Sequence, residues 1–344
     1  MLIQLSPVMG RSEEMMYQVP TPLPGEHAIS IVYRWFRASH YSTLESLIKV
    51  KKYNSKPDSP RRLWMPLYQD LALAFSSKYS LESFICKFTN INDYSLFLNE
   101  SIFDGSGIKA ILEKLSAFKF NNALNVSQDK HWRYCPICAH EDEQKYGTTY
   151  LHVSHQCFYK RVCSKHNVLL SQINTDDFTL PPSDSVPVFA EQIDIDKDTA
   201  LSDWVIDLKE LPKEERKVRA FSLLHQKICI YSYDRKNSYQ VQRVQYMQNI
   251  LAKHFNSSVY PHYFEWGKLV SGHYPLNSVV GLMRLLEPEI HFHPMIYLML
   301  IDVFLKRDEL DMSMQYKLNM SNVKRELQPV VNAFDIDDLK EQAA

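Results

Sequence analysis

Trp132-Arg-Tyr-Cys135-Pro-Ile-Cys138 and, after 24 intervening residues, Cys163-Ser-Lys-His166 are the stretches on which the reading of this chain turns. Each is a short knuckle with two residues between two soft donors, a spacing that suits one tetrahedral Zn²⁺. Such an ion takes four deprotonated sulfur or nitrogen donors at about 2.0–2.3 Å, and a C-x2-C bend presents two sulfurs from one backbone turn. With Cys135, Cys138, Cys163 and His166 filling all four positions, no place remains for a reactive water. The spacing therefore predicts a single structural zinc ion. The alternative is a redox dithiol of Cys135 and Cys138, but no strand–helix context of the thioredoxin kind surrounds the pair.

Other donors crowd the same segment: His131, His140, His152, His155 and Cys157. None is paired at the two-residue spacing, and His155 and Cys157 are the first substitutes if one of the four is misassigned. His155 and Gln156 are expected to hydrogen-bond around the ligands. Cys86 and Cys229 lie in apolar stretches and read as small buried hydrophobes. Four of the six cysteines belong to the metal pattern or its edge, which points to a reducing compartment. Glu141 and Asp142 stand close enough to serve as the base of a zinc hydrolase. That chemistry needs an open coordination position, however, and the chain has no H-E-x-x-H. No catalytic residue is predicted.

The composition sets the frame. A length of 344 residues suits about two domains of ~150 residues. No apolar run approaches the ~20 residues of a membrane span. The first residues show no basic region followed by a long apolar stretch, so the expected compartment is the cytoplasm. Eight glycines are few, and neither a P-loop nor a dinucleotide fingerprint is present. The formal net charge is −1, but charge is unevenly placed. Residues 26–62 carry eight Lys or Arg against three acids; residues 172–200 carry seven acids and only Lys197. A protein that coats DNA would be basic throughout, so contact with nucleic acid is expected on a limited face at most.

The pattern along the chain is mainly α. Residues 1–25 end in Pro20-Thr-Pro22-Leu-Pro24-Gly25 and form an extended arm. Residues 26–130 are an N-terminal helical region that opens with a helix from Glu26 to about Ser39, its stripe being Ile29, Val32, Tyr33 and Phe36. Ser42-Thr-Leu-Glu45 is a capping box for a second, lysine-rich helix. The two resemble a helix-turn-helix, although an ordinary hairpin with a solvated basic end reads slightly better. Arg34, Arg37, Lys49, Lys51 and Lys52 are its candidate contacts to nucleic acid or an acidic partner. Trp35, Trp64 and Trp266 fit core packing better than an interface. Residues 131–171 are the zinc module, with short strand candidates at Tyr150–Val153 and Val162. Residues 172–200 read as an acidic linker, and 201–344 as a C-terminal helical domain with a buried apolar helix from Pro294 to Leu305.

The zinc segment, from Trp132-Arg-Tyr-Cys135-Pro-Ile-Cys138 through Glu141-Asp142, Gly147, His155-Gln156 and Cys163-Ser-Lys-His166, resembles the TniQ/TnsD family. Pro22-Leu-Pro-Gly-Glu26 before a helix with Arg34 is similar to that family's opening, and His293-Pro294 to a His-Pro helix of its longer members. Ser164 departs from the usual proline and Leu151 from a common tryptophan. The resemblance implies a non-enzymatic, dimeric target-selection protein of TnsABC-type transposons, acting in the bacterial cytoplasm. In one branch such a protein docks on an RNA-guided Cascade complex and recruits the AAA+ regulator TnsC. In the other it reads target DNA directly, as TnsD does. The length and the acidic C-terminal half favour the first branch; the absence of a second knuckle pair found in some of its members speaks against it.

Overall fold

The structure, a computed structural model, describes residues 19–39, 60–61, 63, 66–97, 126, 129–173, 179–212, 215–216, 260–263 and 293–305. The lysine-rich second helix, Trp64, Trp266 and Cys229 lie outside these residues. Seven α-helices and one two-stranded sheet are present among the described residues, in keeping with the mainly α expectation.

Helix α1 (Ala28–Arg37) starts two residues after the expected Glu26, and its first turn carries Ile29, the first residue of the apolar stripe. Gly25 adopts φ 67 in the turn after Pro24, and His27 caps the helix with extended φ and ψ. Its Nδ1 accepts the Ile29 N–H at 3.2 Å, which satisfies one of the four free amides of a helix start. Burial reaches beyond the predicted stripe to Ile31 and Trp35, while Arg37 at the end is exposed. α1 packs on α2 (Pro66–Ala74), and α2 on α3 (Leu81–Phe88). Ser80 caps α3 by accepting the Ser83 N–H at 3.1 Å. The short α4 (Ile91–Tyr94) follows. Cys86 of α3 is half-buried and packs against the core as a small hydrophobe.

Three further helices complete the described body: α5 (Pro136–Tyr146), α6 (Gln192–Glu210) and α7 (Pro294–Phe304). α6 begins inside the stretch that reads as an acidic linker, nine residues ahead of the expected helix start at Leu201. The acids of that stretch explain the difference, because two of them point inward. Asp198 accepts the amides of Arg161 and Val162 at 2.8 and 2.7 Å and the Tyr263 hydroxyl at 2.7 Å. Asp194 pairs with Arg161 at 2.6 Å. A charge count sees solvation where the fold makes hydrogen bonds.

α7 is buried over eight consecutive residues, Pro294 to Ile301, so it is enclosed on every side rather than amphipathic. It packs on α6. One apolar cluster joins α1 to α4, Trp132, Tyr134, Phe158, α6, Tyr260, Tyr263 and α7. The segments before and after the zinc module thus share a core. Each fully buried large aliphatic or aromatic side chain there contributes about 1.5–3 kcal/mol. A buried polar knot within it ties residues on either side of the two knuckles. Asp129 accepts from His293 Nε2 at 2.7 Å, from Arg61 at 2.7 Å and from the Tyr94 hydroxyl. Burial raises the Asp129 carboxyl, but His293 and Arg61 outweigh it and hold the group well below the usual carboxylate range. His293 in turn caps α7, its Nδ1 accepting the Met295 N–H at 3.2 Å.

Candidate metal centre

The first knuckle is a helix start. Cys135 is the N-cap of α5, with Pro136 at the first helical position, where a missing N–H costs nothing. The Cys135 sulfur accepts the Cys138 N–H at 3.5 Å, which satisfies one free amide of the helix start. Gly147 closes α5 in the left-handed conformation at φ 70, as a residue without Cβ can. The second knuckle is a hairpin turn. Val162 and Leu169 bridge antiparallel, the Cys163 N–H bonds the Val168 carbonyl at 2.9 Å, and Asn167 takes φ 53 between them. Strands β1 (Arg133–Tyr134) and β2 (Ser171–Gln172) pair antiparallel and bring the two knuckles together. The strand candidates at Tyr150–Val153 and Val162 are present as isolated bridges, whereas the β1–β2 pair was not legible in the sequence.

The result is a cluster of Cys135, Cys138, Cys163 and His166 whose ligand atoms all lie within 4.8 Å of one another. His166 Nδ1 is 3.4, 3.3 and 3.7 Å from the sulfurs of Cys135, Cys138 and Cys163. The Cys138 and Cys163 sulfurs are 3.8 Å apart. Tetrahedral bonds of about 2.3 Å to sulfur and 2.0–2.1 Å to nitrogen put sulfurs ~3.8 Å apart and sulfur to nitrogen ~3.5 Å. The donors fit, and the four residues can hold a metal ion. Without a cation the crowding is unfavourable: hydrogen bonding with Cys135 and Cys163 pushes the Cys138 thiol up, while Cys163, accepting from Cys135 and Cys138, falls.

The surroundings support the ligands. His166 Nε2 donates to Glu141 Oε1 at 3.3 Å, leaving Nδ1 as the free lone pair aimed at the sulfurs. Lys165 bonds the other Glu141 oxygen at 2.5 Å, and its ammonium holds the Glu141 carboxyl below its ordinary range. Glu141 therefore positions a ligand and has no free oxygen aimed at an open site. The signal was present in the sequence, since Cys138 and Glu141 are three residues apart on one helix face. Asp142, the second candidate base, is bound to His152 Nε2 at 2.7 Å. Gln156 clasps the strand ahead of the first knuckle: it accepts the Arg133 N–H at 3.0 Å and donates to the Arg133 carbonyl at 2.6 Å.

The rival donors fall outside the cluster. His140 pairs with Gln144, and Cys157 faces Asn90 at 3.6 Å. His155, the nearest of them, is buried with Nε2 3.9 Å from Cys138; burial lowers its pKa.

The arm is part of this module. His27 donates its backbone N–H to the Leu151 carbonyl at 2.7 Å, Val153 bonds Gly25 at 2.8 Å, and the Tyr150 hydroxyl bonds Pro24 at 2.9 Å. Arg34, expected as an outward contact, pairs with the buried Glu26 at 2.6 Å and with the Thr21 carbonyl, locking the arm to α1. Arg37 remains exposed; Lys49, Lys51 and Lys52 lie outside the described residues.

Arm, α1 and both knuckles coincide with the span, residues 18–170, that matches the TniQ family model. Over this span the chain is similar to the TniQ family. A TniQ domain is associated with the choice of target sites in transposition. No curated protein matches the chain. Among the described residues, no helix is long and apolar enough to cross a membrane.

Proposed function

We propose that the cluster holds one structural Zn²⁺ and that the chain is a non-enzymatic target-selection adaptor. In this reading it links an RNA-guided Cascade complex at the target DNA to the AAA+ regulator TnsC, as a homodimer in the bacterial cytoplasm. The observation that carries the structural role is closure. Four protein donors surround one point inside the TniQ span, and the nearby carboxylates of Glu141 and Asp142 are each bound to a histidine. Zinc, when bound, neutralises three thiolates and locks helix start to hairpin. Cys135 and Cys138 hold it from α5, Cys163 and His166 from the hairpin, and Glu141 keeps His166 in the ligating tautomer.

Substituting Co²⁺ for the native ion tests the closed site. A tetrahedral thiolate spectrum unmoved by azide or cyanate is expected; an anion-dependent shift would mean an open, reactive position. The adaptor role is tested by co-expressing the tagged chain with the Cascade complex and guide RNA of its own locus. Guide-dependent, stoichiometric co-purification is the expected result. Failure of a folded, zinc-loaded chain to associate would favour the TnsD-like alternative, direct reading of an attachment site. In that case neutralising Arg37, Lys49, Lys51 and Lys52 should make the salt dependence of DNA binding shallower, by about 0.9 in slope for each phosphate no longer neutralised.

A further inference from the structure

Beside the second knuckle the chain presents a ridge that the metal centre does not use. Val186, Val188, Phe189 and Ile193 are 83, 58, 70 and 51 % exposed, four of the six large hydrophobics exposed in this way among the described residues, within an eight-residue stretch. Scattered apolar side chains on a surface are ordinary, whereas a contiguous group rimmed by polar residues marks an interaction site. A half-buried strand would turn alternate side chains inward. Here the neighbours Val188 and Phe189 both face solvent.

The ridge is held in place along its length. Thr149 Oγ1 donates to the Pro181 carbonyl at 2.6 Å, and the Tyr134 and Ser185 hydroxyls meet at 2.8 Å. Leu169 N–H bonds the Val188 carbonyl at 2.8 Å, Ala190 N–H bonds the Asn167 carbonyl at 3.0 Å, and Val168 bridges Phe189. The ridge is thus built onto the 167–169 side of the knuckle hairpin and is pre-organised, which lowers the entropy lost when a partner docks. Its rim is acidic. Asp184, Glu191 and Asp196 are exposed around it. Lys197, the one base between residues 172 and 200, is turned to Asp302 at 2.8 Å. Such a rim repels phosphate, which favours a protein over nucleic acid as the occupant.

We propose that the ridge from Val186 to Ile193 is a docking surface for a partner protein, and that it takes a segment whose aliphatic or aromatic side chains are flanked by lysine or arginine. The apolar residues supply the area removed from water, and the acids select the partner's charge and orientation. The surface chemistry stands apart from the adaptor reading, because it holds whether the chain docks on a guide complex or reads DNA itself.

The test is site-specific photocrosslinking. The full chain, carrying benzoylphenylalanine at Val186, is co-expressed with the other proteins of its locus and irradiated, and the crosslinked peptides are sequenced. One partner protein is expected, attached through a segment that mixes basic and apolar residues. Reversing the rim with D184K, E191K and D196K should cut the yield at least about fivefold, in line with three exposed charge pairs. Zinc content and melting temperature measured on the same variant confirm that it is folded. Crosslinks only to a second copy of this chain, only to nucleic acid, or in equal yield with the reversed rim overturn the proposal, as does the absence of any specific crosslink.

Discussion

Single side chains at the metal centre differ in what they carry. In the proposed zinc site Cys135 and Cys163 each supply a ligand from a different element, so either Cys→Ser substitution leaves three donors and frees helix start from hairpin. Structural zinc in small domains is worth ~10–16 kcal/mol of apparent binding energy. We expect C135S and C163S to lose the metal and to become protease-sensitive within residues 131–171, with metal content and limited proteolysis as the readouts. Glu141 acts one step further out. E141Q keeps a hydrogen-bonding oxygen but removes the charge facing His166, and should weaken metal retention against a chelator about tenfold without changing the melting temperature of the loaded protein. The clustering of Cys135, Cys138, Cys163 and His166 is legible from spacing because a two-residue gap has only a few ways to bend. Glu141 reads as a possible base in the sequence because proximity along the chain gives no direction for a carboxylate.

At the scale of elements, the caps decide where helices begin and end. His27 caps α1 while packed edge-on against Trp132, 5.0 Å between ring centroids, and burial drives its pKa from 6.5 down to about 3. The folded state therefore refuses a proton that the unfolded chain takes up. The stability this contributes is intact above pH 6.5 and falls as pH drops toward 3, by up to ~1.4 kcal/mol per pH unit. H27N keeps a capping oxygen and cannot titrate, so its unfolding free energy should fall less steeply with acid over that window, even though it starts lower from poorer packing. The close of α5 is simpler. A Cβ at Gly147 would meet nothing within 4 Å, yet φ 70 is unfavourable for any side chain; G147A should cost about 1 kcal/mol in chemical denaturation. Proline and glycine mark both ends of α5 in the sequence. The true start of α6 at Gln192 is hidden there because inward-facing Asp194 and Asp198 look the same in sequence as solvated ones.

Across the whole molecule, long-range polar contacts join parts of the chain that read as separate units. Asp129 gathers Arg61, Tyr94 and His293 from distant positions around one carboxylate. D129A would leave these donors in the core without an acceptor and should cost about 3 kcal/mol, seen as a lower denaturation midpoint. The loss should extend to both helical parts, since one apolar cluster includes α1 to α4 as well as α6 and α7. The amino-acid sequence by itself determined the Cys135, Cys138, Cys163 and His166 cluster, the helical class, the apolar α7 and the likeness of residues 18–170 to the TniQ family, because each is written in local spacing, periodicity or motif. Only the tertiary structure decided that Arg34 serves the arm, that Gln156 clasps β1, that the acidic stretch is part helix and part exposed ridge, and that the chain's two helical parts share a core. Each of these depends on which distant group a side chain meets, and periodicity carries no information about partners far along the chain.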